Sequence, residues 1–240
     1  MGKYDQVSTL QALALGFSKS VVTVQELLCH GDLGLGTFED VDGEMIVLDG
    51  KCYRALNNGN VVMAEDERGI PFASVCQFRP ERVEGLENMD TIEQLKSWLT
   101  LRIEEEFGLN SMYAVRIDGE FSKVDARSES GTKAHHLTLK DALSVTQKAF
   151  IFENVTGSLV CVYYPDYMDG INAAGWHLHF LSADKKCGGH VFDISLTHGS
   201  ASFCRITSVE VQIPDTPAFD TYALKSASQD EIKSVEQGKK

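Results

Sequence analysis

The segment from Gly175 to Asp193, GWHLHFLSADKKCGGHVFD, constrains the fold of this chain more than any other. His177 and His179 are two residues apart, and side chains alternate faces along an extended strand, so both imidazoles point the same way. The DKKCGG run is typical of a turn, and a second apolar stretch opens with His190. The pattern therefore predicts a β-hairpin that brings His190 back beside the first two histidines.

Three neutral imidazoles that converge from neighbouring strands make an open metal site, with three protein ligands and room for substrate or water. A single histidine on a strand is usually hydrogen-bonded or exposed. Here, however, His177, His179 and His190 are three of the chain's seven histidines and fall in one short segment. The clustering favours a metal site over chance.

Two other interpretations of the same histidines stay open at this point. Cupin-like barrels that house metal-dependent lyases or hydrolases also use H-x-H on a strand, but they expect a Glu a few residues later, where Ala183 and Asp184 stand here. A non-catalytic metal-binding protein with structural zinc would need a fourth protein ligand, and Cys187 is the obvious candidate.

The charge balance limits the partners of the chain. The formal net charge is −13 over 240 residues. This acidity argues against nucleic-acid binding, which normally leaves a basic footprint, and against adhesion to anionic membranes. No stretch approaches the roughly 18 apolar residues of a membrane span. The N-terminus shows no signal-peptide pattern, so we expect a cytoplasmic protein whose anionic ligands need a local cation.

Short strands and a few helices predict an α/β fold of the α+β type. Turn signals such as Asp42-Gly43 divide residues 31–81 into a meander of antiparallel strands, with strands predicted at Glu44–Leu48 and Lys51–Ala55. Helices are predicted at Ser8–Leu15, at Val24–Leu28 and over residues 91–107, after a short N-terminal lead. Thr23, with Glu26 three residues later, predicts a capping box at the start of the second helix.

We expect two sheet-rich lobes of mostly antiparallel or mixed strands with a few packed helices. Residues 1–147 form the N-terminal lobe, and residues 148–240 form the C-terminal lobe with the histidine site and a tail. In the second half of the chain, Asp118-Gly119 and Thr156-Gly157 are predicted as turns that end strands. The six cysteines contain no C-x-x-C pair, so free buried thiols are expected.

The histidine segment also resembles the metal-binding segment of the acetolactate decarboxylases. Further blocks match in the expected order: GDLGLGTFEDVDGEMIVLDGKCYR at 31–54, PFASVCQFRPE at 71–81 and YAVRIDGEFSKV at 113–124. The resemblance implies a zinc lyase that converts 2-acetolactate to acetoin and carbon dioxide, and it implies a homodimer.

The resemblance also implies three catalytic residues. Glu44, an ordinary strand-start carboxylate on spacing alone, matches an acid that lines the metal site. Arg127 matches the cation that holds the substrate, although the residues alone do not separate it from Arg116. Glu236, in the polar C-terminal tail, matches a terminal-segment Glu that folds back to the metal pocket.

Decarboxylation at such a site needs no organic electron sink. The substrate hydroxyl, ketone or carboxylate oxygens can chelate the metal, which stabilises the enediolate charge left by loss of carbon dioxide. An active-site carboxylic acid, implied to be Glu44, then returns a proton to carbon.

Overall fold

The computed structural model describes residues 2–106, 108–132 and 137–224, and strands dominate them. The strands are β1 (Gly2–Val7), β2 (Val22–Thr23), β3 (Leu33–Thr37), β4 (Glu44–Leu48), β5 (Lys51–Ala55), β6 (Val61–Met63), β7 (Gly69–Ile70), β8 (Phe72–Cys76), β9 (Arg82–Met89), β10 (Met112–Ser128), β11 (Lys148–Tyr164), β12 (Gly175–Ser182) and β13 (Gly188–Gln212). The helices are α1 (Leu10–Ala14), α2 (Val24–Leu28), α3 (Ile92–Glu106), α4 (Leu139–Thr146) and α5 (Pro217–Asp220).

Most of the strands join one large sheet, in the order β10-β11-β12-β13-β1-β8-β3-β4-β5-β6, with β9 paired to β13. Neighbours along this path are antiparallel except β1 and β13, which are parallel. The α+β class with mixed strands is confirmed. β10, which precedes the expected lobe boundary at residue 147, pairs with both β11 and β13, which follow it. The boundary itself stays a prediction.

Several local predictions from the sequence are confirmed. β4 and β5 occupy the predicted residues of the meander. Thr23 caps α2 with a full capping box: its hydroxyl accepts from the backbone N–H of Glu26, and the Glu26 carboxylate accepts from the N–H of Thr23.

The short N-terminal lead, for which we predicted no element, forms β1, which pairs with β13 on one side and β8 on the other.

The predicted turns at Asp118-Gly119 and Thr156-Gly157 are wrong, because β10 and β11 run unbroken through them. Gly119 lies opposite Gly157 on one side and opposite Gly199 on the other. A Cβ on Gly119 would lie 2.7 Å from the carbonyl oxygen of His198. The glycine therefore permits close approach of neighbouring strands instead of ending a strand.

Helix α3 covers one face of the sheet. Its apolar stripe, which includes Leu95 and Leu99, is fully buried in one cluster with Val115 of β10. The opposite face of the same strands belongs to a second cluster, in which Ile46 of β4 packs with Leu181 of β12. This second packing brings the start of β4 to the histidine strand.

Among the described segments, we find no helix with the length and hydrophobicity that crossing a membrane requires.

Candidate metal centre

The predicted histidine hairpin is confirmed. β12 and β13 pair antiparallel with His179 directly opposite His190. β10 lies on the other side of β13, with Arg127 opposite His190. Gly189 makes this approach possible, since a Cβ there would lie 2.3 Å from the carbonyl oxygen of Arg127. Gly189 also has φ +154°, which residues with a side chain rarely adopt.

The three histidines converge on one point. The Nε2 atom of His177 lies 3.1 Å from Nε2 of His179 and 3.0 Å from Nδ1 of His190. One ring nitrogen from each residue lies within 4.8 Å of the others, and all three side chains are buried. Two Zn–N bonds at a tetrahedral angle separate their nitrogens by about 3.3 Å, so the spacing suits a zinc ion.

His177 and His179 also favour the neutral form that binds a metal. Burial, followed by the charges of Arg127 and Lys96, lowers the pKa of His177 to about 3. Burial, followed by His177, lowers the pKa of His179 well below its ordinary value, although its bond to Met45 acts in the opposite direction. The Nδ1–H of His179 donates to the carbonyl of Met45 at 2.7 Å, which leaves Nε2 as the lone-pair atom that faces the other rings. Neutral imidazoles with oriented lone pairs are the ligands that zinc prefers.

Glu44 reaches this centre from the first position of β4. Its carboxylate is buried, with Oε2 at 3.4 Å from Nε2 of His179 and Oε1 at 3.8 Å from Nε of Arg127. Its backbone N–H donates to the hydroxyl of Ser128, which in turn donates to the carbonyl of Ala55. A serine from β10 thus ties the start of β4 to the strand that carries Arg127.

The structure also places the two candidate arginines differently. The guanidinium of Arg127 is buried, stacks over the ring of Phe192 with 5.1 Å to the centroid, and donates to Oε1 of Gln147 at 2.5 Å. Arg116 instead forms ion pairs with Asp49 at 2.6 Å and with Asp118 at 2.7 Å.

A cavity of about 30 Å³ lies against the histidines. Polar groups on its wall include Glu44, Arg127, Glu129, His177 and His190. The rest of the wall is mostly apolar and includes Val41, Phe72, Leu139 and Leu143.

Glu129, which is 1% exposed, is a candidate that the sequence analysis missed. Its signal is the Arg127-Ser128-Glu129 alternation at the end of a strand, which puts Arg127 and Glu129 on the same face.

Cys187, considered above as a fourth ligand, is absent from the only group of potential metal ligands in the described part of the chain. It is half-buried against the core cluster under α3, and its thiol is free, as are those of the other five cysteines. Glu236 and the adjacent pair His135-His136 lie outside the described residues. Among the described residues, the histidine set is therefore an open, three-ligand arrangement with room for substrate or water at a bound metal.

Comparison with known proteins points to a single family. The profile of the family described as alpha-acetolactate decarboxylase matches residues 5–226. The chain is 37% identical over 231 residues to the alpha-acetolactate decarboxylase of Methanosarcina mazei, covering 96% of this chain and 79% of that one. It is 36% identical over 214 residues to the enzyme of the same name from Lactococcus lactis, covering 87% of this chain and 86% of that one.

The fold comparison agrees. A crystal structure of alpha-acetolactate decarboxylase from Bacillus subtilis strain 168 superposes with a TM-score of 0.92 at 30% identity, covering 98% of this chain and 99% of that one. The sequence and fold comparisons therefore extend over nearly the whole chain.

Proposed function

The chain belongs to the alpha-acetolactate decarboxylase family and is a carboxy-lyase, and on that premise we propose that it decarboxylates 2-acetolactate to acetoin as a zinc enzyme, with His177, His179 and His190 as metal ligands. The convergence of these three buried imidazoles on one point is the observation that carries the proposal.

A bound zinc ion would supply a Lewis acid that adjacent substrate oxygens can chelate and that stabilises the charge left when carbon dioxide departs. The reaction breaks the bond between the carboxyl carbon and C2 of the substrate. The electron pair moves through C2 onto the ketone oxygen, giving an enediolate. Interactions that strengthen as this charge develops lower the barrier.

Arg127 provides the cation that an anionic substrate needs inside a protein of net charge −13. Its planar guanidinium is held between Phe192 and Gln147, at the edge of the cavity beside His190. A fixed fork of N–H donors binds two oxygens at once, so we propose that it orients the substrate carboxylate or the enediolate.

Glu44 is the proposed proton donor. Its carboxyl group lies between His179 and Arg127, close to where the charge develops. Donation of a proton to C2 completes acetoin and leaves Glu44 as a carboxylate, which Arg127 stabilises. Glu236 is the proposed second carboxylate of the site, and two acids in one pocket can divide hydrogen-bonding and proton-donating roles.

The proposed assembly is a homodimer, and the proposed location is the cytoplasm. β6 ends the strand path of the main sheet, and its Val62 and Met63 are 44% and 61% exposed. An exposed apolar edge strand supports association with a second copy. Light scattering after gel filtration measures the dimer directly.

Metal analysis combined with an acetoin assay tests the function. We expect the purified protein to contain a fixed molar ratio of zinc to protein chain. It should also release carbon dioxide and acetoin from 2-acetolactate. Chelation should abolish turnover while the circular dichroism spectrum stays unchanged, and added zinc should restore turnover. Full turnover by metal-free protein would reject the zinc assignment, and no acetoin from the metal-loaded protein would reject the function.

A further inference from the structure

Val41 adopts a backbone conformation that valine rarely adopts in proteins. Its φ is +56°, and the preceding Asp40 has φ +61°. Asp tolerates the left-handed region, but a β-branched residue there is a genuine outlier because its Cγ atoms crowd the backbone. Strain of this kind persists only where the surroundings enforce it, and such residues cluster at functional sites.

Contacts on both sides of Val41 enforce the conformation. Before it, the backbone N–H of Asp40 donates to the carbonyl of Ser18 at 2.9 Å, and the Asp40 carboxylate pairs with Lys19 at 2.8 Å. The backbone N–H of Val41 itself donates to the carbonyl of Phe38 at 2.9 Å.

After Val41, the chain is anchored again. The Asp42 carboxylate binds the guanidinium groups of Arg54 and Arg68 and accepts the N–H of Gly131. The carbonyl of Gly43 accepts the hydroxyl of Thr37 at 2.9 Å. The strained residue is therefore fixed at a defined position, three residues before Glu44.

That position is a partition between two cavities. Val41 and Leu139 line both the cavity of about 30 Å³ at the histidines and a neighbouring cavity of about 600 Å³. Val41 is buried and packs in one cluster with Leu139, Phe72 and Leu143. The larger cavity has mainly apolar walls, which include Leu13 and Phe17.

The small cavity has a polar side and an apolar side. Its polar residues, Arg127 and Glu44 among them, suit the oxygens of the substrate, and the apolar wall with Val41 is left for an alkyl group. A side chain on that wall limits how long the alkyl group can be.

We propose that Val41 is a specificity-determining residue that restricts the substrate to 2-hydroxy-3-oxo acids with short alkyl groups, by closing the catalytic cavity off from the larger one. The inference rests on the proposed decarboxylation of 2-acetolactate. Removing the Val41 methyl groups joins the two cavities and admits homologues with longer alkyl chains.

The test measures kcat/KM for 2-acetolactate and for homologues in which the C2 methyl is replaced by ethyl, propyl and butyl, and separately for homologues in which the acetyl methyl is extended. For each homologue, kcat/KM is divided by kcat/KM for 2-acetolactate. In Val41→Ala, this ratio should rise about tenfold or more for the propyl or butyl homologue of one of the two series. Tenfold is the scale of one methylene in an apolar pocket. Val41→Gly should show the same change, and glycine adopts the local φ without strain. The second variant therefore keeps the test decisive if the first is unstable.

Val47→Ala is the matched control. Val47 is a buried valine on β4 that lines neither cavity, so its truncation should lower stability without changing the chain-length ratio. Unchanged ratios in both Val41 variants, or an equal rise in Val47→Ala, would overturn the role of Val41 while leaving the decarboxylase function intact. Failure of the unaltered protein to convert 2-acetolactate would overturn the function itself.

Discussion

The backbone N–H of Glu44 donates to the hydroxyl of Ser128, 84 positions along the chain, at 3.3 Å. The same hydroxyl donates to the carbonyl of Ala55 at 2.7 Å, and Ala55 is the partner of Glu44 across β4 and β5. One buried side chain on β10 therefore satisfies a donor and an acceptor at the end of this strand pair. It holds Glu44 next to Arg127, the residue that precedes Ser128.

Ser128→Ala should lower both stability and turnover. It leaves the buried N–H of Glu44 and the carbonyl of Ala55 without this partner, which costs about 1–3 kcal/mol of unfolding free energy. Because Glu44 loses its anchor, kcat should fall further than metal content does. Denaturant unfolding, metal analysis and steady-state kinetics measure the three quantities. Ser122→Ala, an exposed serine on the same strand, is the control and should change none of them.

Arg127→Lys should reduce kcat/KM for 2-acetolactate by more than tenfold, which corresponds to about 1.4 kcal/mol or more of transition-state stabilisation. Lysine keeps the charge but loses the planar fork and the stacking on Phe192. Arg116→Lys is the control, since Arg116 pairs with Asp49 and Asp118 instead. If Arg116→Lys were the damaging change and Arg127→Lys were neutral, the two roles would have to be exchanged.

Replacing any one of His177, His179 and His190 by alanine should lower the zinc content and abolish turnover. Each substitution removes one of three converging nitrogens, and the remaining two are fewer than the three protein ligands that a catalytic zinc site uses. Elemental analysis after dialysis gives the metal content, and the acetoin assay gives turnover. Full zinc occupancy in His190→Ala would contradict the ligand set.

The histidine hairpin could be predicted from the sequence because its signals are local. Alternation in H-x-H and the turn residues before His190 are enough to place three rings together. The capping box of Thr23 and Glu26 and the bounds of β4 follow from short-range patterns in the same way.

The remaining parts of the site depend on contacts that no local pattern encodes. The bond from His179 to Met45 joins residues 134 positions apart, and it is what fixes the ring. The alternation of Arg127 and Glu129 is a local signal, but the burial of Glu129, in a polar stretch after the strand end, depends on tertiary packing. Gly119 shows how a local pattern can mislead. The sequence predicts a turn there, but in the sheet the glycine lies within β10, where it lets the neighbouring strand approach closely.

Cysteine reactivity should separate one exposed thiol from several buried ones. Cys29 is exposed and should react with a thiol reagent in the native protein at pH 8. Burial raises the pKa of the Cys52 thiol to about 12, and burial also raises the pKa of the Cys161 thiol. Both thiols should therefore react only after unfolding. Counting modified thiols with and without denaturant measures the difference, and rapid native labelling of Cys52 would contradict its burial.

The raised pKa of Cys52 also predicts a loss of stability at alkaline pH. An unfolded chain releases the thiol proton above about pH 9, whereas the folded protein keeps it until about pH 12. The folded state therefore binds more protons in this window, and the free energy of unfolding falls as pH rises, by about 1.4 kcal/mol per pH unit for this group. Cys52→Ala should make the decline shallower, as denaturant unfolding at a series of pH values would measure.

The tail prediction concerns Glu236, beyond the described residues. The last described residues pack beside the larger cavity: the hydroxyl of Tyr222 donates to the carbonyl of Leu15 at 3.0 Å, and the ring of Phe219 packs on Phe17 with 4.9 Å between centroids. Tyr222 lines the larger cavity, which the wall at Val41 separates from the histidines. The segment from Leu224 to Glu236 can extend roughly 40 Å.

Deleting residues 234–240, or changing Glu236→Gln, should leave folding and zinc content intact and lower kcat by about a hundredfold or more, the scale of a general acid. Glu231→Gln is the control and should retain the full rate, because that side chain is expected to face solvent. Circular dichroism, metal analysis and the acetoin assay separate a folding defect from a catalytic one. If the truncated protein converted 2-acetolactate at the full-length rate, Glu236 would have no part in the site, and Glu44 would act as the proton donor without a second carboxylate from the tail.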